Sequence, residues 1–291
     1  MRYEGPIYRP PSEADSLLIQ ATIGCPHNRC TFCMVYRGGP RFRVRDLTDI
    51  EADLRQAREI HGPDVRTLFL PAGNTIAMPT EALCTVCRTA HRIFPNLERI
   101  TVYGSSPFIH RKRLEGLKRL VETGLTRIHV GLESGDDRIL RRIAKGTDSN
   151  QQIDAGHWVK AAGIELSLYV ILGIGGQKHS ESHARETARV LNAIAPDFTR
   201  LRTFVPKVGT PLLEDVRNRR FRMLGPHDVL KETALLLTHL KISTTLTSDH
   251  YTNYLNLEGH LPKDKERLLS TIATALTREE TSFRPFFIGN Q

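Results

Sequence analysis

From residue 16 onward, short apolar runs alternate with stretches whose apolar positions recur at helical spacing. SLLIQATIG (16–24), RTLFLPAG (66–73), ERITVYG (98–104), RIHVGLE (127–133), ELSLYVILGIG (165–175) and FTRLRTF (198–204) have the length and the β-branched or aromatic content of strands. Between the first three lie two amphipathic patterns, DLTDIEADLRQAREIHG (46–62) and TEALCTVCRTAHRIF (80–94), the second introduced by Pro79 with Thr80 as its expected cap. Further helical stretches around 110–123, 136–162 and 180–195 end at Gly124, Gly163 and Pro196, which completes six β/α units.

LFLP and YVILGIG lack the polar alternation of a half-wet sheet, so the strands are expected to be parallel and covered by helices. In such folds the functional groups gather where strands end, which directs attention to the residues just after 24, 70, 104, 133, 172 and 205. Residues 1–15, with Pro6, Pro10 and Pro11, have no periodicity and read as an extended lead-in along the surface. Beyond strand six, helical patterns at 227–243 and 263–277 bracket the polar segment TSDHYTNYLNLEG (247–259), which reads as a C-terminal cap. No run of about 18 apolar residues is present, so no membrane span is expected.

The 291 residues carry 41 Lys and Arg against 32 Asp and Glu, a formal charge of +9. The densest basic block, RNRRFR (217–222), fits a solvated face first and a phosphate or acidic substrate second. Without a basic tail or an aromatic-basic repeat, the charge requires no obligatory nucleic-acid partner. Five cysteines, an odd number, and no signal-peptide order at the N-terminus exclude a secreted disulfide scaffold, so the expected compartment is the reducing cytoplasm.

Three of those cysteines, Cys25, Cys30 and Cys33, form a C-x4-C-x2-C loop directly after strand one. Thiolates at that spacing can converge on one soft metal centre. Pro26, His27, Asn28, Arg29 and Thr31 make the loop polar, where an apolar core cysteine gains little. Structural zinc with His27 as fourth ligand is one reading, although the usual second ligand pair at longer spacing is missing. The other is an iron–sulfur cluster whose three thiolates leave one iron open to an exogenous ligand.

On this loop and its place after strand one, the chain resembles the radical S-adenosylmethionine superfamily over roughly residues 16–205. The resemblance implies an α/β fold, a partial (β/α)6 barrel, with the C-terminal helical cap read above. The division is then 1–15 extension, 16–205 core and 206–291 cap. It also implies a [4Fe-4S] cluster on Cys25, Cys30 and Cys33, S-adenosyl-L-methionine chelated at the open iron, and an external one-electron donor such as flavodoxin or ferredoxin. Reductive cleavage would give a 5′-deoxyadenosyl radical that abstracts hydrogen from a substrate not identified. The superfamily more often has C-x3-C-x2-C; the half Cys30-Thr31-Phe32-Cys33 is unaltered here.

By the same resemblance, Phe32 lies near the adenine, and Ala72, Gly73 and Asn74 replace a Gly-Gly-Glu stretch that binds the methionine amino group; a plain turn is the alternative. Glu133 and Ser134 are expected at the ribose hydroxyls or the methionine portion, although Ser134 or Asp136 could instead cap the next helix. Lys145 or Arg141 would lie near the cosubstrate carboxylate, or be solvated helix charges. Gly173 belongs to a G-x-I-x-G-like segment against the adenine, and Arg200, sharing a face with Arg202, would bind a carboxylate or phosphate, or snorkel. Catalytic residues on the substrate side are unassigned; Tyr36, Arg41, Arg43, Arg45, Tyr103, His179, His183, Asp249, His250, Tyr251 and Asn253 are candidates by position. Cys84 and Cys87, inside an apolar helix, are expected core thiols, which leaves no ligands for a second cluster. The alternative in a different class is a zinc-stabilised basic nucleic-acid-binding protein.

Overall fold

A computed structural model describes residues 1–5 and 7–289; Pro6, part of the expected lead-in, lies outside them. Two compact units are present, the first formed by Met1–Asn28, Val35–Val130 and Asp154–Leu166, the second by Arg29–Met34, Gly131–Ile153 and the residues from Ser167 onward.

The first unit contains β1 (Leu17–Leu18), β2 (Thr22–Ile23), β3 (Arg43–Val44), α1 (Leu47–His61), β4 (Thr67–Leu70), α2 (Thr80–Ile93), β5 (Arg99–Gly104), α3 (Ser106–Glu122) and most of β6 (Leu125–Glu133). Strands β1, β4, β5 and β6 pair in that order and are all parallel, with Leu17 opposite Leu68, Phe69 opposite Thr101 and Tyr103 opposite His129. Leu68, Phe69, Leu70, Ile100 and Val102 are completely buried, as expected for strands covered on both faces. Helix α1 buries Ile50, Leu54 and Ala57 at i, i+4 and i+7, and α2 buries Leu83, Val86, Cys87 and Ala90 at the equivalent spacing.

Three expectations are corrected here. The run 16–24 is two short strands: after β1 the chain leaves the sheet, and β2 pairs antiparallel with β3, Thr22 opposite Val44. The backbone there pairs with the 43–45 segment instead, Arg45 N donating to Ala21 O at 3.0 Å, while the buried Gln20 amide exchanges hydrogen bonds with the backbone of Glu4 at 2.8 and 2.9 Å. At α2, Pro79 occupies the cap position and Thr80 is already helical, with no side-chain cap bond. The lead-in is also more than a surface strap. A 3-10 turn at Pro11–Glu13 buries the Glu13 carboxylate completely, where it accepts from Ser16 Oγ at 2.6 Å and Arg127 Nη1 at 3.1 Å and pairs with His129 Nε2 at 3.1 Å.

The second unit contains the end of β6, α4 (Asp137–Arg142), most of β7 (Glu165–Leu172), α6 (Gly176–Ile194), β8 (Phe198–Thr203), α7 (Pro211–Arg217), α8 (Pro226–His239), β9 (Thr244–Thr247), β10 (Glu258–Leu261) and α9 (Lys265–Leu276); of α5 (Ser149–Ala161), residues 149–153 belong to the second unit and the rest to the first. Strands β7, β8 and β9 are parallel and β10 closes the edge antiparallel. The expected single helix over 136–162 is two, because Gly146 at φ +76° interrupts it and the Asp148 carboxylate accepts from Gln151 N at 2.8 Å to start α5. The C-terminal part is not only helix and loop. Thr244 and Leu246 are buried while Thr245 and Thr247 are half-exposed, a period of two that makes TTLT a strand parallel to β8. Among the described residues no helix is long and apolar enough to cross a membrane.

Candidate active site

In the first unit, Cys25 follows β2 and is half-buried. The loop after β4 comes up against it: Gly73 N donates to Gly24 O at 3.3 Å, and a Cβ on Gly73 would stand 2.7 Å from Cys25 Cβ and 2.7 Å from Tyr36 Cε2. Ala72 adopts φ +97°, a conformation that costs a non-glycine residue free energy and that concentrates at functional loops. Asn74 is buried; its amide donates to Ser105 Oγ at 2.7 Å, whereas Oδ1 has no hydrogen-bond partner among the described residues. A buried carbonyl oxygen of that kind suits an ammonium donor from a ligand.

In the second unit, the segment carrying Cys30 and Cys33 is pinned on both sides, Thr31 N donating to Ile143 O at 2.9 Å and Leu212 N to Thr31 O at 3.0 Å. Phe32 packs on a buried cluster that includes Ile139, Ile143, Ile174, Phe204, Leu212 and Phe221. Glu133 ends β6 at φ +63°, and its Oε1 accepts from Lys145 Nζ at 2.8 Å, with the two side chains 11% and 9% exposed. Gly131 makes room for this pair, since a Cβ there would lie 2.1 Å from Glu133 Oε1 and 2.9 Å from Lys145 Nζ. Burial pulls the Lys145 pKa down, but attraction to Glu133, Cys30 and Cys33 outweighs it and holds the ammonium above its ordinary value. A fixed cation therefore faces both a carboxylate and two thiols.

Ser134 is fully buried and spends its hydroxyl on the protein, pairing with His183 Nδ1 at 2.9 Å and accepting from Asp136 N at 3.1 Å. Asp136 caps α4 by accepting from Arg138 N at 2.8 Å. Gly173, at φ +78°, donates its N–H to Glu232 Oε1 at 2.6 Å, and Ser180 Oγ donates to Glu232 Oε2 at 2.5 Å. Glu232 on α8 was not singled out in the sequence, although an acid amid Val229, Leu230, Thr233 and Leu236 on an apolar helix face marks a buried carboxylate needing donors. Burial pushes its carboxyl up to about 7 despite those two bonds, and burial pushes the adjacent His183 down to about 4. Arg200 is buried; it donates to Ser167 Oγ at 3.0 Å and Thr247 Oγ1 at 3.2 Å, while exposed Arg202 reaches His250.

No disulfide engages Cys25, Cys30 or Cys33, and among the described residues no three His, Cys, Asp or Glu side chains form a group placed to hold a metal ion. The fit to an iron–sulfur cluster lies in the donor set: three half-buried soft thiols, two of which act electrostatically on the buried Lys145 cation, while Gly73 leaves space beside the third. Cys84 and Cys87 differ in kind. Both are buried in α2, and burial raises the Cys87 thiol to about 12.

A family model described as the Radical SAM superfamily matches residues 19–190. Among curated proteins, the tRNA-2-methylthio-N(6)-dimethylallyladenosine synthase of Bifidobacterium adolescentis is 26% identical over 225 residues, covering 74% of this chain and 43% of that protein. The enzyme of the same name from Dehalococcoides mccartyi is 24% identical, covering 77% and 54%. The chain thus spans about half the length of these relatives. Among solved structures, methylornithine synthase matches with a TM-score of 0.55 at 15% identity, covering 91% of this chain and 83% of that one. The radical S-adenosylmethionine methyltransferase TsrM from Kitasatospora setae, with cobalamin and a [4Fe-4S] cluster bound, matches with 0.57 at 16% identity over 70% and 39%. These likenesses establish the α/β partial-barrel fold, and none of them lends support to the zinc-stabilised alternative. With the family model covering more than half of its length and a C-x4-C-x2-C loop at the head of the matched region, the chain belongs to the radical S-adenosylmethionine superfamily, which works with a [4Fe-4S] cluster and S-adenosyl-L-methionine.

Proposed function

We propose that Cys25, Cys30 and Cys33 are the cluster ligands of this radical enzyme and that its substrate is an RNA. The observation that carries the first part is the buried Lys145 ammonium, which pairs with Glu133 at 2.8 Å and is attracted to the thiols of Cys30 and Cys33. When bound, the reduced cluster supplies the electron that breaks the sulfonium bond of the cosubstrate, which is how the superfamily takes hydrogen from its substrates. The protein's own part is to bind and orient. Asn74 Oδ1 accepts from the cosubstrate ammonium beside the small residues Ala72 and Gly73, and Lys145 pairs with its carboxylate. Glu133 takes the ribose hydroxyls, with Ser134 holding the turn behind it. Phe32 and the Gly173 loop shape the adenine side, and Arg200, fixed by Ser167 and Thr247, offers a cation to the substrate.

The RNA reading is supported by the curated relatives, whose names place them on tRNA, and by the +9 charge. Sulfur insertion does not follow from it, because Cys84 and Cys87 sit in the core of α2 and are unsuited to a second cluster. An external flavodoxin- or ferredoxin-type donor, cytoplasmic location and the division into 1–15, 16–205 and 206–291 belong to the same proposal.

Anaerobic reconstitution, followed by dithionite and S-adenosylmethionine, tests the reading. It predicts 5′-deoxyadenosine from an iron-loaded protein, with faster release when tRNA is added; absence of both iron and product overturns it, and indifference to RNA overturns the substrate assignment.

A further inference from the structure

Large apolar and aromatic side chains exposed among the described residues are unevenly distributed. Val208, Tyr251, Phe286 and Ile288, four of the eight, belong to the loop after β8, the 247–259 segment and the C-terminal tail. Lys207 opposite Gly289 ties the tail to the loop after β8, and Lys207 Nζ donates to Tyr251 Oη at 3.4 Å.

The planar groups here run in file. The rings of His250 and Tyr251 lie 4.4 Å apart at 37°, and those of Tyr251 and Phe287 6.2 Å apart at 31°. The Arg284 guanidinium is 5.0 Å from the Phe287 ring and 4.1 Å from the Tyr254 ring. Tyr251 itself is 63% exposed, so the file reaches the solvent. Arg202, Lys207 and Arg284 put three cations around it, against Asp249 on the same loop. Burial and the charges of Arg202 and Lys207 drive His250 down to about 3, so its ring is neutral and accepts from Arg202 at 2.7 Å.

The location also matters. Asn253 fastens the 247–259 segment to the C-terminal end of β8, its Oδ1 accepting from Thr203 N at 2.7 Å and its Nδ2 donating to Leu201 O at 3.0 Å. Thr203 pairs with Leu172, the residue before Gly173. The aromatic file therefore stands at the strand ends where the cosubstrate loop emerges.

Aromatic faces flanked by guanidinium and ammonium groups are what unpaired bases on a phosphate backbone require. A purely apolar protein partner would offer nothing to the Arg202 and Arg284 guanidiniums beside the rings. We propose that the surface of His250, Tyr251, Phe287, Arg284, Lys207 and Arg202 is a stacking platform for unpaired nucleobases, which feeds a single-stranded part of the RNA substrate toward the cosubstrate. This rests on the RNA reading above and specifies where that RNA is held.

The reconstituted full chain is titrated with a short fluorescein-labelled single-stranded RNA of mixed sequence and with the matching duplex. The single strand binds tighter; Tyr251→Leu and Phe287→Leu each weaken it roughly tenfold. Tyr251→Phe retains wild-type affinity, and Lys207→Gln lowers the salt dependence by about one unit of log–log slope. Leucine preserves apolar area without a ring, so unchanged affinity in both leucine variants overturns the platform, as does equal binding of duplex and single strand. Photocrosslinking of bromouridine RNA to the unaltered protein needs no variant: adducts within 250–254 or 284–287 support the proposal, and adducts confined elsewhere overturn it. Release of 5′-deoxyadenosine by the same preparation reports the enzyme reading separately. Cosubstrate cleavage without RNA binding overturns the platform and leaves the radical enzyme standing.

Discussion

Gly73 and Cys25 approach each other so closely that a methyl group on the former would stand 2.7 Å from the latter's Cβ, inside the limit of any real contact. Gly73 is therefore required for space. Gly73→Ala is expected to displace Cys25 or the Tyr36 ring, at a cost of about 1–3 kcal/mol in stability. Iron retained after reconstitution should fall well below the wild-type amount; unchanged iron would separate this loop from cluster binding.

The buried pair Lys145 and Glu133 gives a second test. Lys145→Met leaves a carboxylate with its 2.8 Å partner gone, which should cost about 3 kcal/mol or more. Lys145→Arg keeps a cation and should recover part of that. The role in cosubstrate binding is read from equilibrium dialysis: Glu133→Gln should weaken S-adenosylmethionine at least tenfold, about 1.4 kcal/mol, and an unaltered dissociation constant would leave the pair as structural only.

Acid should release the lead-in. Burial raises the Glu13 pKa, but hydrogen bonds from His129 and Ser16 with the Arg99 charge prevail and bring it to about 2 from an ordinary 4.5. A depressed carboxylate stabilises the fold above 4.5, and that contribution disappears as pH falls through about 2. Urea unfolding of Glu13→Gln should thus show a deficit of about 3 kcal/mol near neutrality, shrinking below pH 4.5. A deficit independent of pH would contradict the ion-pair account.

Glu232 has the opposite sign. Burial raises its carboxyl to about 7, so its protonated form stabilises the fold below 4.5 and this contribution is lost as pH rises through 7. Glu232→Gln keeps an acceptor for Gly173 N and should abolish that decline in the thermal midpoint. Glu232→Ala strands the Gly173 N–H and should cost about 1–3 kcal/mol. A parallel pH profile in wild type and Glu232→Gln would show that Glu232 does not titrate there.

Strand ends and the cysteine loop were legible because they are local: apolar runs bounded by Gly and Pro, and three thiols within nine residues. The break between β1 and β2 was hidden because it depends on pairing with Arg43–Val44, some twenty residues further along the chain. β9 was missed since four residues with three threonines next to a helix give too short a period-two signal. Lys145 was named for the cosubstrate, yet its contact with Glu133 and its attraction to Cys30 and Cys33 arise from chain reversals that periodicity does not encode. Glu13 and Glu232 were overlooked for one reason: a single acid looks solvated until the elements burying it are assembled.

Metal analysis of anaerobically reconstituted variants separates three cluster-binding cysteines from two core thiols. The wild type and Cys84→Ala/Cys87→Ala should each hold about four iron and four sulfide per chain, with near-complete loss in Cys25→Ala, Cys30→Ala and Cys33→Ala. Stoichiometric zinc in a colourless protein, or full iron in any of the three single variants, would contradict that division.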